Sequence, residues 1–355
     1  MSLSSLLSIA RTALLTQRRA MEVTAQNVAN AQTPGYSRER LVLRAEDPLS
    51  TAQGQFGRGV TSDGIVRARD LFYDATYRRE SGVFSQSSTL HDGLKQIEDA
   101  MGEPSDTGLS ATIDKLFHSF ADLANDPASP ANRDLVWQSG NRLAQQLNQL
   151  DLRVSTAAAD ATSRLQGEAS SANDLIKQIA DLNGRILSSG GDAAPSLQDA
   201  RDNAIDQLSQ KLSVRVVNHA DGTATVLGEG STLVDGVNAT QLTVTGSGST
   251  LAVQDSAGTT MSRPGGTMGA LVELTNVQVP QFRAQLDQLA VTLVSQVNTL
   301  HRTGYTATGA TNTDFFDAVG LSAGSIRLAA PLRASSAAVA ASSSSTAGDG
   351  TVAQK

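Results

Sequence analysis

Residues 27–36, N-V-A-N-A-Q-T-P-G-Y, separate a helical pattern from an extended one. The helix should end near Asn30, because Pro34 disfavours a helical conformation at the residue before it and Pro34-Gly35 suits a type II turn. Asn27 and Asn30 offer amide hydrogen bonds along the end of this helix. One interpretation is that both asparagines only cap the helix. The other is that they take part in contacts with partner chains.

The helix before this stretch carries apolar residues seven positions apart, at Leu7, Leu14, Met21 and Val28. This spacing is half of a coiled-coil seam, because the companion positions are weak. Those companion positions are Leu3, Ala10, Gln17 and Thr24. So sparse a seam needs partners, since a short isolated helix recovers little of the entropy that is lost on ordering. We therefore predict that residues 1–40 become ordered only in an assembly.

The segment after the turn is extended, and helical periodicity then resumes. Residues 36–44, Y-S-R-E-R-L-V-L-R, alternate imperfectly and predict a strand or an extended arm that begins at Tyr36. Apolar residues at helical spacing return near Ala68. A further helix start is indicated by Ser129-Pro130, since serine suits the N-cap and proline suits the first helical position.

The longest helical pattern follows this start signal. Apolar residues keep three- and four-residue spacing from Leu143 onwards and continue it loosely to Ile186. If unbroken, about 55 residues would form a rod of roughly 80 Å, at about 1.5 Å per residue. Glycine is a poor helix former, so we expect a bend or an end at Gly167 or Gly184.

A small antiparallel β unit is predicted after a short helix at 195–212. Apolar and β-branched runs are separated there by Asp-Gly pairs, which favour hairpin turns. The runs are V-R-V-V (214–217), T-A-T-V-L (223–227), T-L-V (232–234), Q-L-T-V-T (241–245) and L-A-V (251–253). Helical spacing returns from Val277 to Leu300. After Gly304 the chain is rich in Thr, Ala, Ser and Gly, which predicts a loop or linker with one apolar island.

The composition limits the classes of function. The chain has 355 residues, of which 35 are acidic and 28 basic, and its net charge of −7 disfavours nucleic acid as a partner. It contains no cysteine, which excludes disulfides, thiolate zinc sites and cysteine nucleophiles. No apolar run approaches the roughly 20 residues of a membrane span, and the N-terminus does not resemble a cleavable signal peptide. Aromatic residues are only 4% of the chain, which favours long, thinly packed helices over one dense core.

No combination of residues indicates catalysis or a metal site. The four histidines show no metal-ligand spacing. They are His91, His118, His219 and His301. Residues 263–270, R-P-G-G-T-M-G-A, lack the full phosphate-binding patterns, so they predict a turn. Asp199, Asp202 and Asp206 have helical spacing, so a metal-binding face is conceivable. Arg201 lies among them, however, and a solvated helix face is the simpler expectation. We predict no cofactor, no metal and no enzymatic activity.

Several stretches resemble one group of bacterial flagellar proteins. N-V-A-N-A-Q-T-P-G-Y-S-R (27–38) closely resembles the N-terminal motif of flagellar rod, hook and hook-associated proteins. Six later stretches resemble the family of flagellar hook-associated protein 1, the first hook–filament junction protein. They are F-A-D-L-A-N-D-P (120–127), R-D-N-A-I-D-Q-L-S (201–209), G-G-T-M-G-A-L-V-E-L (265–274), L-D-Q-L-A (286–290), V-N-T-L-H-R-T-G (297–304) and D-F-F (314–316).

The resemblance implies a non-enzymatic structural subunit that self-assembles into a ring between the hook and the filament. Its partners would be other copies of itself, the hook protein and the next junction protein toward the filament, with no nucleic acid and no membrane insertion. It would be extracellular, exported through the flagellar type III apparatus without a cleaved signal peptide. Such proteins normally end in a long helix with apolar heptads, and residues 334–355 contain no such pattern. We therefore expect a truncated C-terminal side, with the export chaperone binding the region that is absent.

The whole sequence predicts a mainly α fold with a β insertion. It would combine an elongated, coiled-coil-like helical bundle, a small antiparallel β domain and an N-terminal helix and arm for polymerisation. The predicted segments are 1–67 (inner-tube helix and extended arm), 68–204 (helical bundle), 205–263 (β insertion domain), 264–304 (returning helix of the bundle) and 305–355 (loop or linker). The residues expected in subunit contacts are Leu7, Leu14, Met21, Asn27, Val28, Asn30, Pro34, Gly35 and Tyr36.

Three other functions are open from the residues alone. A hook or rod protein would share the N-terminal motif, although the helical region 105–190 and V-N-T-L-H-R-T-G favour the junction protein. An exported adhesin-like protein could use the β insertion, but there is no aromatic residue between Leu212 and Arg263 on which a sugar could stack. A secreted enzyme is disfavoured by the missing catalytic constellations.

Overall fold

The protein is built mainly of helices, with small antiparallel sheets between them, as the sequence predicts. The computed structural model describes residues 3–51, 54–102, 105–190, 195–344 and 349–355. Parts of the predicted segments 1–67, 68–204 and 305–355 therefore lie outside the described residues. The helices are α1 (Leu3–Ala29), α2 (Leu71–Met101), α3 (Leu109–Asn125), α4 (Pro130–Ser188), α5 (Pro195–Lys211), α6 (Gly266–Glu273), α7 (Val279–His301) and α8 (Ala330–Ala334). None of these helices is long and apolar enough to cross a membrane.

The strands form five small sheets in the described part of the chain, and every pairing is antiparallel. A ribbon joins β1 (Glu39–Ala45) to β4 (Val60–Arg67), and β2 (Leu49–Thr51) pairs with β3 (Gly54–Phe56). A four-stranded sheet contains β5 (Arg215–Asn218), β6 (Ala224–Leu227), β7 (Thr232–Asp235) and β8 (Asn238–Ala239). A three-stranded sheet has the order β11 (Thr260–Met261), β10 (Ala252–Asp255), β9 (Leu242–Thr245), and β12 (Tyr305–Thr306) pairs with β13 (Ala340–Ser342).

The long helix α4 begins where the sequence predicts. The Ser129 hydroxyl accepts a hydrogen bond from the backbone N–H of Asn132 at 3.3 Å, which satisfies one free donor of the first turn. Its 59 residues continue through Gly167 and Gly184, so the expected end at one of these glycines is wrong, whereas the alternative of a bend stays a prediction. A helical glycine costs only about 1 kcal/mol relative to alanine. The apolar face of α4, which is buried on both sides of each glycine, outweighs that cost.

Contacts between Cα atoms divide the chain into two units. The first comprises Met1–Ser88, Leu165–Gly246 and Ala252–Ala270, and the second comprises Thr89–Arg164, Ser247–Leu251 and Leu271–Lys355. In the first unit the buried side chains of α4 and α5 join those of the small sheets. The largest fully buried ones there are Leu165, Ile176, Ile179, Ile186, Ile205 and Leu208.

In the second unit α7 contacts α4, and the Arg283 guanidinium donates to both carboxylate oxygens of Asp151 at 2.8 and 3.2 Å. Phe315 and Phe316 are fully buried, with their rings 4.8 Å apart. The segment after Gly304, which the composition predicts to be a loop or linker, also contains β12, α8 and β13. It is therefore more ordered than its composition indicates.

The returning helix starts before Val277, where its apolar spacing begins, and close to the start of the predicted segment 264–304. Gly265 and Gly266 have positive φ angles of 71° and 56°, and α6 begins at Gly266. The predicted turn at 263–270 is thus confined to its first residues. A π-helical turn, Leu274–Gln278, joins α6 to α7. Pro280 accounts for the wider turn, because proline lacks an N–H and its ring would clash with the carbonyl four residues earlier in a regular helix.

Five helix asparagines share one kind of contact. Each side-chain amide donates to the backbone C=O of one residue and accepts from the backbone N–H of the same residue. We call this arrangement an asparagine clamp. The pairs are Asn27 with Glu39, Asn173 with Leu242, Asn183 with Ala224, Asn276 with Leu251, and Asn298 with Phe316. Each clamp holds a strand or loop against a helix.

Candidate functional site: the N-terminal helix and its attachment

Helix α1 presents the predicted seam to solvent. The side chains of Leu7, Leu14, Met21 and Val28 are exposed by 63%, 73%, 59% and 73%. Seven-residue spacing turns only slightly around a helix, so the four side chains form one stripe along α1. We call these four residues the α1 stripe. Contiguous apolar surface of this kind commonly marks an interaction site.

The opposite face of α1 lies against the ribbon formed by β1 and β4. Thr16 and Val23 are buried there. The Arg19 guanidinium donates a hydrogen bond of 2.5 Å to the Ser62 hydroxyl. One face of α1 is therefore covered within the chain itself, which the apolar spacing of this helix does not predict. The sequence signal was weak, because this face is largely polar and its partner strand comes about 40 residues later.

Asn27 attaches the end of α1 to the start of β1. Its amide donates to the Glu39 carbonyl at 2.9 Å and accepts from the Glu39 N–H at 2.8 Å. The Tyr36 hydroxyl donates to the same amide oxygen at 3.0 Å. Burial raises the pKa of Tyr36, with further contributions from Glu39 and Asp199, so the phenol remains a donor. This amide fastens the chain after the turn and does more than cap the helix.

Asn30 makes only local contacts. Its amide donates to the Gln26 carbonyl at 3.1 Å and accepts from the Thr33 hydroxyl at 3.2 Å. The interpretation as a helix-end residue therefore fits Asn30 and does not fit Asn27. The two asparagines of N-V-A-N thus have different structural tasks, although their place in subunit contacts remains a prediction.

The predicted turn lies at residues 33–36. The Tyr36 N–H donates to the Thr33 carbonyl at 3.2 Å, with Pro34 and Gly35 between them. Gly35 has a φ of 80°, which is the left-handed conformation that a type II turn requires at this position. A Cβ there would also lie 3.3 Å from the Asn203 side chain. Both observations explain the glycine.

Helix α5 holds the chain beyond the turn through aspartates that the sequence predicts to be exposed to solvent. Asp199 accepts from the Ser37 N–H at 2.8 Å and from the Arg67 guanidinium at 2.8 Å. Arg67 also donates to Asp202 at 2.7 Å. The predicted solvated face at Asp199, Asp202 and Asp206 is wrong, since arginines from residues 67–78 cover it. In the sequence more than 120 positions separate these partners, so no local pattern links them.

A second exposed apolar stripe, which the sequence reading missed, lies at the start of α2 in the first unit. Tyr73, Tyr77 and Phe84 are exposed and fall on one helical face, and Phe72 stacks edge-on against Tyr73 at 5.8 Å. The spacing of four and seven residues is a signal that could have found it.

The histidines and acidic residues show no arrangement suited to a metal ion within the described ranges. His301 is buried, and its ring nitrogens contact the Thr313 carbonyl and the Ala340 N–H at 2.6 and 2.9 Å. This pairing fixes a neutral ring that donates from Nδ1 and accepts at Nε2. Burial lowers the pKa of His301. The ring therefore serves to hold β13.

Comparison with known proteins gives consistent matches. Residues 94–316 match the family model described as "Flagellar hook-associated protein FlgK helical domain", and residues 7–36 match the model described as "Flagella basal body rod protein". The second match covers most of α1 and the turn that follows it.

Individual relatives carry the same description. The chain is 28% identical to "Flagellar hook-associated protein 1" of Bacillus subtilis, over 88% of this chain and 70% of that protein. It is 27% identical to the Salmonella typhimurium protein of that name, over 88% of this chain and 59% of that protein. The hook junction protein FlgK from Burkholderia pseudomallei has a similar structure, with a TM-score of 0.63 and 26% identity over 69% of this chain and 46% of that one. The chain thus spans between about half and two thirds of these relatives.

Proposed function

Because the chain belongs to the FlgK family of flagellar hook-associated proteins, we propose that it is a non-enzymatic subunit of the hook–filament junction that assembles through α1. The observation that carries this proposal is the α1 stripe. One face of α1 is covered by the β1–β4 ribbon, whereas four large apolar side chains on the other face meet solvent. The match of residues 7–36 to a rod protein family supports α1 as an assembly element common to flagellar axial proteins.

The energy of the stripe explains why assembly would need several subunits. Full burial of such a side chain contributes about 1.5–3 kcal/mol, so covering the exposed 59–73% of these four would contribute about 4–8 kcal/mol. Association itself costs about 4–15 kcal/mol in lost translational and rotational freedom. These ranges overlap, so one such contact would do little more than offset the cost of association. A ring in which every subunit makes contacts on two sides meets this requirement.

The proposed partners are other copies of this chain, the hook protein and the next junction protein toward the filament. The proposed location is the extracellular flagellum, which the subunit reaches by type III export with the help of a chaperone. These points rest on family membership and on the exposed stripe together.

The test is binding to isolated flagellar hooks, measured by co-sedimentation and by electron microscopy of hook ends. We expect the unaltered protein to bind at hook ends. The double variant Leu14→Gln with Met21→Gln should lose this binding, because it makes the centre of the stripe polar. The control is Leu152→Gln, which removes an apolar side chain that is 66% exposed on α4. Equal binding by the double variant and the control would contradict the proposal.

A further inference from the structure

A cluster of opposite charges lies at the root of the N-terminal arm, by which we mean α1 with the β1–β4 ribbon. In this cluster, Arg67 donates to Asp199 and Asp202, while Arg69 pairs with both oxygens of Asp74 at 2.9 Å. Further contacts reach α5 from α2 and from the segment before it, and one lies within α5. These are Arg78 to Asp206 at 2.6 Å, Arg69 to Asp202 at 3.4 Å, and Arg201 to Asp202 at 3.0 Å. We call these four arginines and four aspartates the anchor cluster.

The anchor cluster holds the arm at two points, one between α1 and β1 and the other at the end of β4, where the chain continues to α2. The chain enters the ribbon at Ser37, whose N–H donates to Asp199. It leaves the ribbon at Arg67, the last residue of β4, which donates to Asp199 and Asp202. Entry and exit thus meet on neighbouring carboxylates of one helix. These two attachment points restrain the direction of the arm relative to α5.

The cluster is shielded from solvent and balanced in charge. The side chains of Arg67 and Asp202 are exposed by 14% and 8%. Burial alone would raise the pKa of Asp202, but Arg201 and Arg67 outweigh it and hold this pKa below its usual value. Dissolved salt screens buried pairs far less than exposed ones. The contact is therefore a permanent joint at neutral pH and not a salt-released switch.

Helix α5 does not need the arm to stay in place. Ala204, Ile205 and Leu208 are buried in the first unit, and Lys211 pairs with Glu168 of α4 at 2.6 Å. Loss of the contacts from Arg67 would therefore leave α5 seated and free the arm to change direction. This separates a positioning role from a role in folding.

We propose that Arg67, Asp199 and Asp202 are positioning residues, which set the direction of α1 so that its stripe meets the neighbouring subunit at the hook end. The assembly half of this inference rests on the proposed function, whereas the joint itself can be measured in the monomer. One terminal nitrogen of Arg67 donates to both carboxylates, and an arginine keeps its charge at every pH at which the protein is folded.

The experiment measures the direction of the arm in the intact monomer. The chain has no cysteine, so cysteines introduced at the exposed Gln17 of α1 and Gln207 of α5 provide two unique sites for spin labels. Pulsed electron resonance then gives the distribution of distances between them. Arg67→Gln should replace one narrow peak by a broad distribution. Arg67→Lys, which keeps the charge, should restore part of the narrow peak.

Glu168→Gln is the matched control, because it removes an ion pair of α5 that does not reach the arm. It should leave the distance distribution unchanged. If Arg67→Gln does not fold by circular dichroism, Asp199→Asn replaces it, since an asparagine oxygen can still accept from Ser37. If the folded variant gives a distribution of label distances as narrow as that of the unaltered protein, the proposed joint does not exist.

Hook binding by the same variants tests the assembly half. Binding by Arg67→Gln should weaken by about tenfold or more, the factor that corresponds to each 1.4 kcal/mol of free energy. A broadened arm with undiminished hook binding would overturn the positioning role. Failure of the unaltered protein to bind hooks would count against the proposed function, while the distance measurements would still decide whether the joint exists.

Discussion

Replacing Asn27 by alanine should loosen the start of β1 and leave the rest of the protein folded. The side chain makes three hydrogen bonds, two to the backbone of Glu39 and one to the Tyr36 hydroxyl. Each such bond contributes about 0.5–1.5 kcal/mol net, and a partly buried site lies toward the low end of this range. We therefore expect a local loss of about 2 kcal/mol. At 1.4 kcal/mol per tenfold, the local opening equilibrium should rise by about 30-fold.

The assay is hydrogen exchange of the backbone amides of residues 36–45. Asn30→Ala is the matched control, because Asn30 bonds only within the end of the helix and the turn. Tyr36→Phe should give a smaller rise, since it removes one of the three bonds. The reasoning would be refuted by equal exchange in the Asn27 and Asn30 variants, or by a rise for Asn27→Ala that extends through the whole chain.

Two further predictions concern stability measured by urea unfolding. Gly140→Ala should destabilise by about 1–3 kcal/mol, because the new Cβ would lie 2.6 Å from the buried Phe315 ring. Gly167→Ala in the same helix, with nothing within 4 Å, should stabilise by about 0.5–1 kcal/mol; two changes of equal sign would contradict this account. The unfolding free energy should also fall as the pH drops below about 6.5, because burial lowers the pKa of His301 and the unfolded chain takes up the proton first. His301→Gln should weaken this pH dependence and the exposed His91→Gln should not; equal profiles for all three proteins would count against it.

Features with local causes could be predicted from the sequence. Helix α1 ends at Ala29, one residue from the expected end, because Pro34-Gly35 acts within a few positions. Helix α4 starts at Pro130 because Ser129 and Pro130 supply a cap and a fixed φ angle side by side. Likewise, seven-residue spacing predicted the stripe on α1, since periodicity alone decides which side chains share a helical face.

Features that depend on distant partners could not be predicted. Arg67 and Asp199 are 132 positions apart, and nothing near either residue announces the other. Seen alone, Asp199, Asp202 and Asp206 look like an ordinary charged face, and only the arginines of residues 67–78 cover them. The face of α1 that packs against the ribbon could not be predicted for a similar reason. Thr16 on this face is polar, and it is buried only because the ribbon covers it.

The low aromatic content of the chain, which made the fold difficult to predict, also explains the repeated asparagine clamp. With aromatic residues at only 4% of the chain, few large side chains are available to press a strand or loop onto a helix. A side-chain amide can donate and accept hydrogen bonds at once. One asparagine therefore satisfies both the N–H and the C=O of a backbone residue whose hydrogen bonds to water are lost on packing. A carboxylate could only accept, and it would also bring a charge into the contact. At Asn27 the clamp ties the β1–β4 ribbon to α1 without using any apolar residue of that helix. The apolar side chains of the α1 stripe are thereby left for contacts with other subunits.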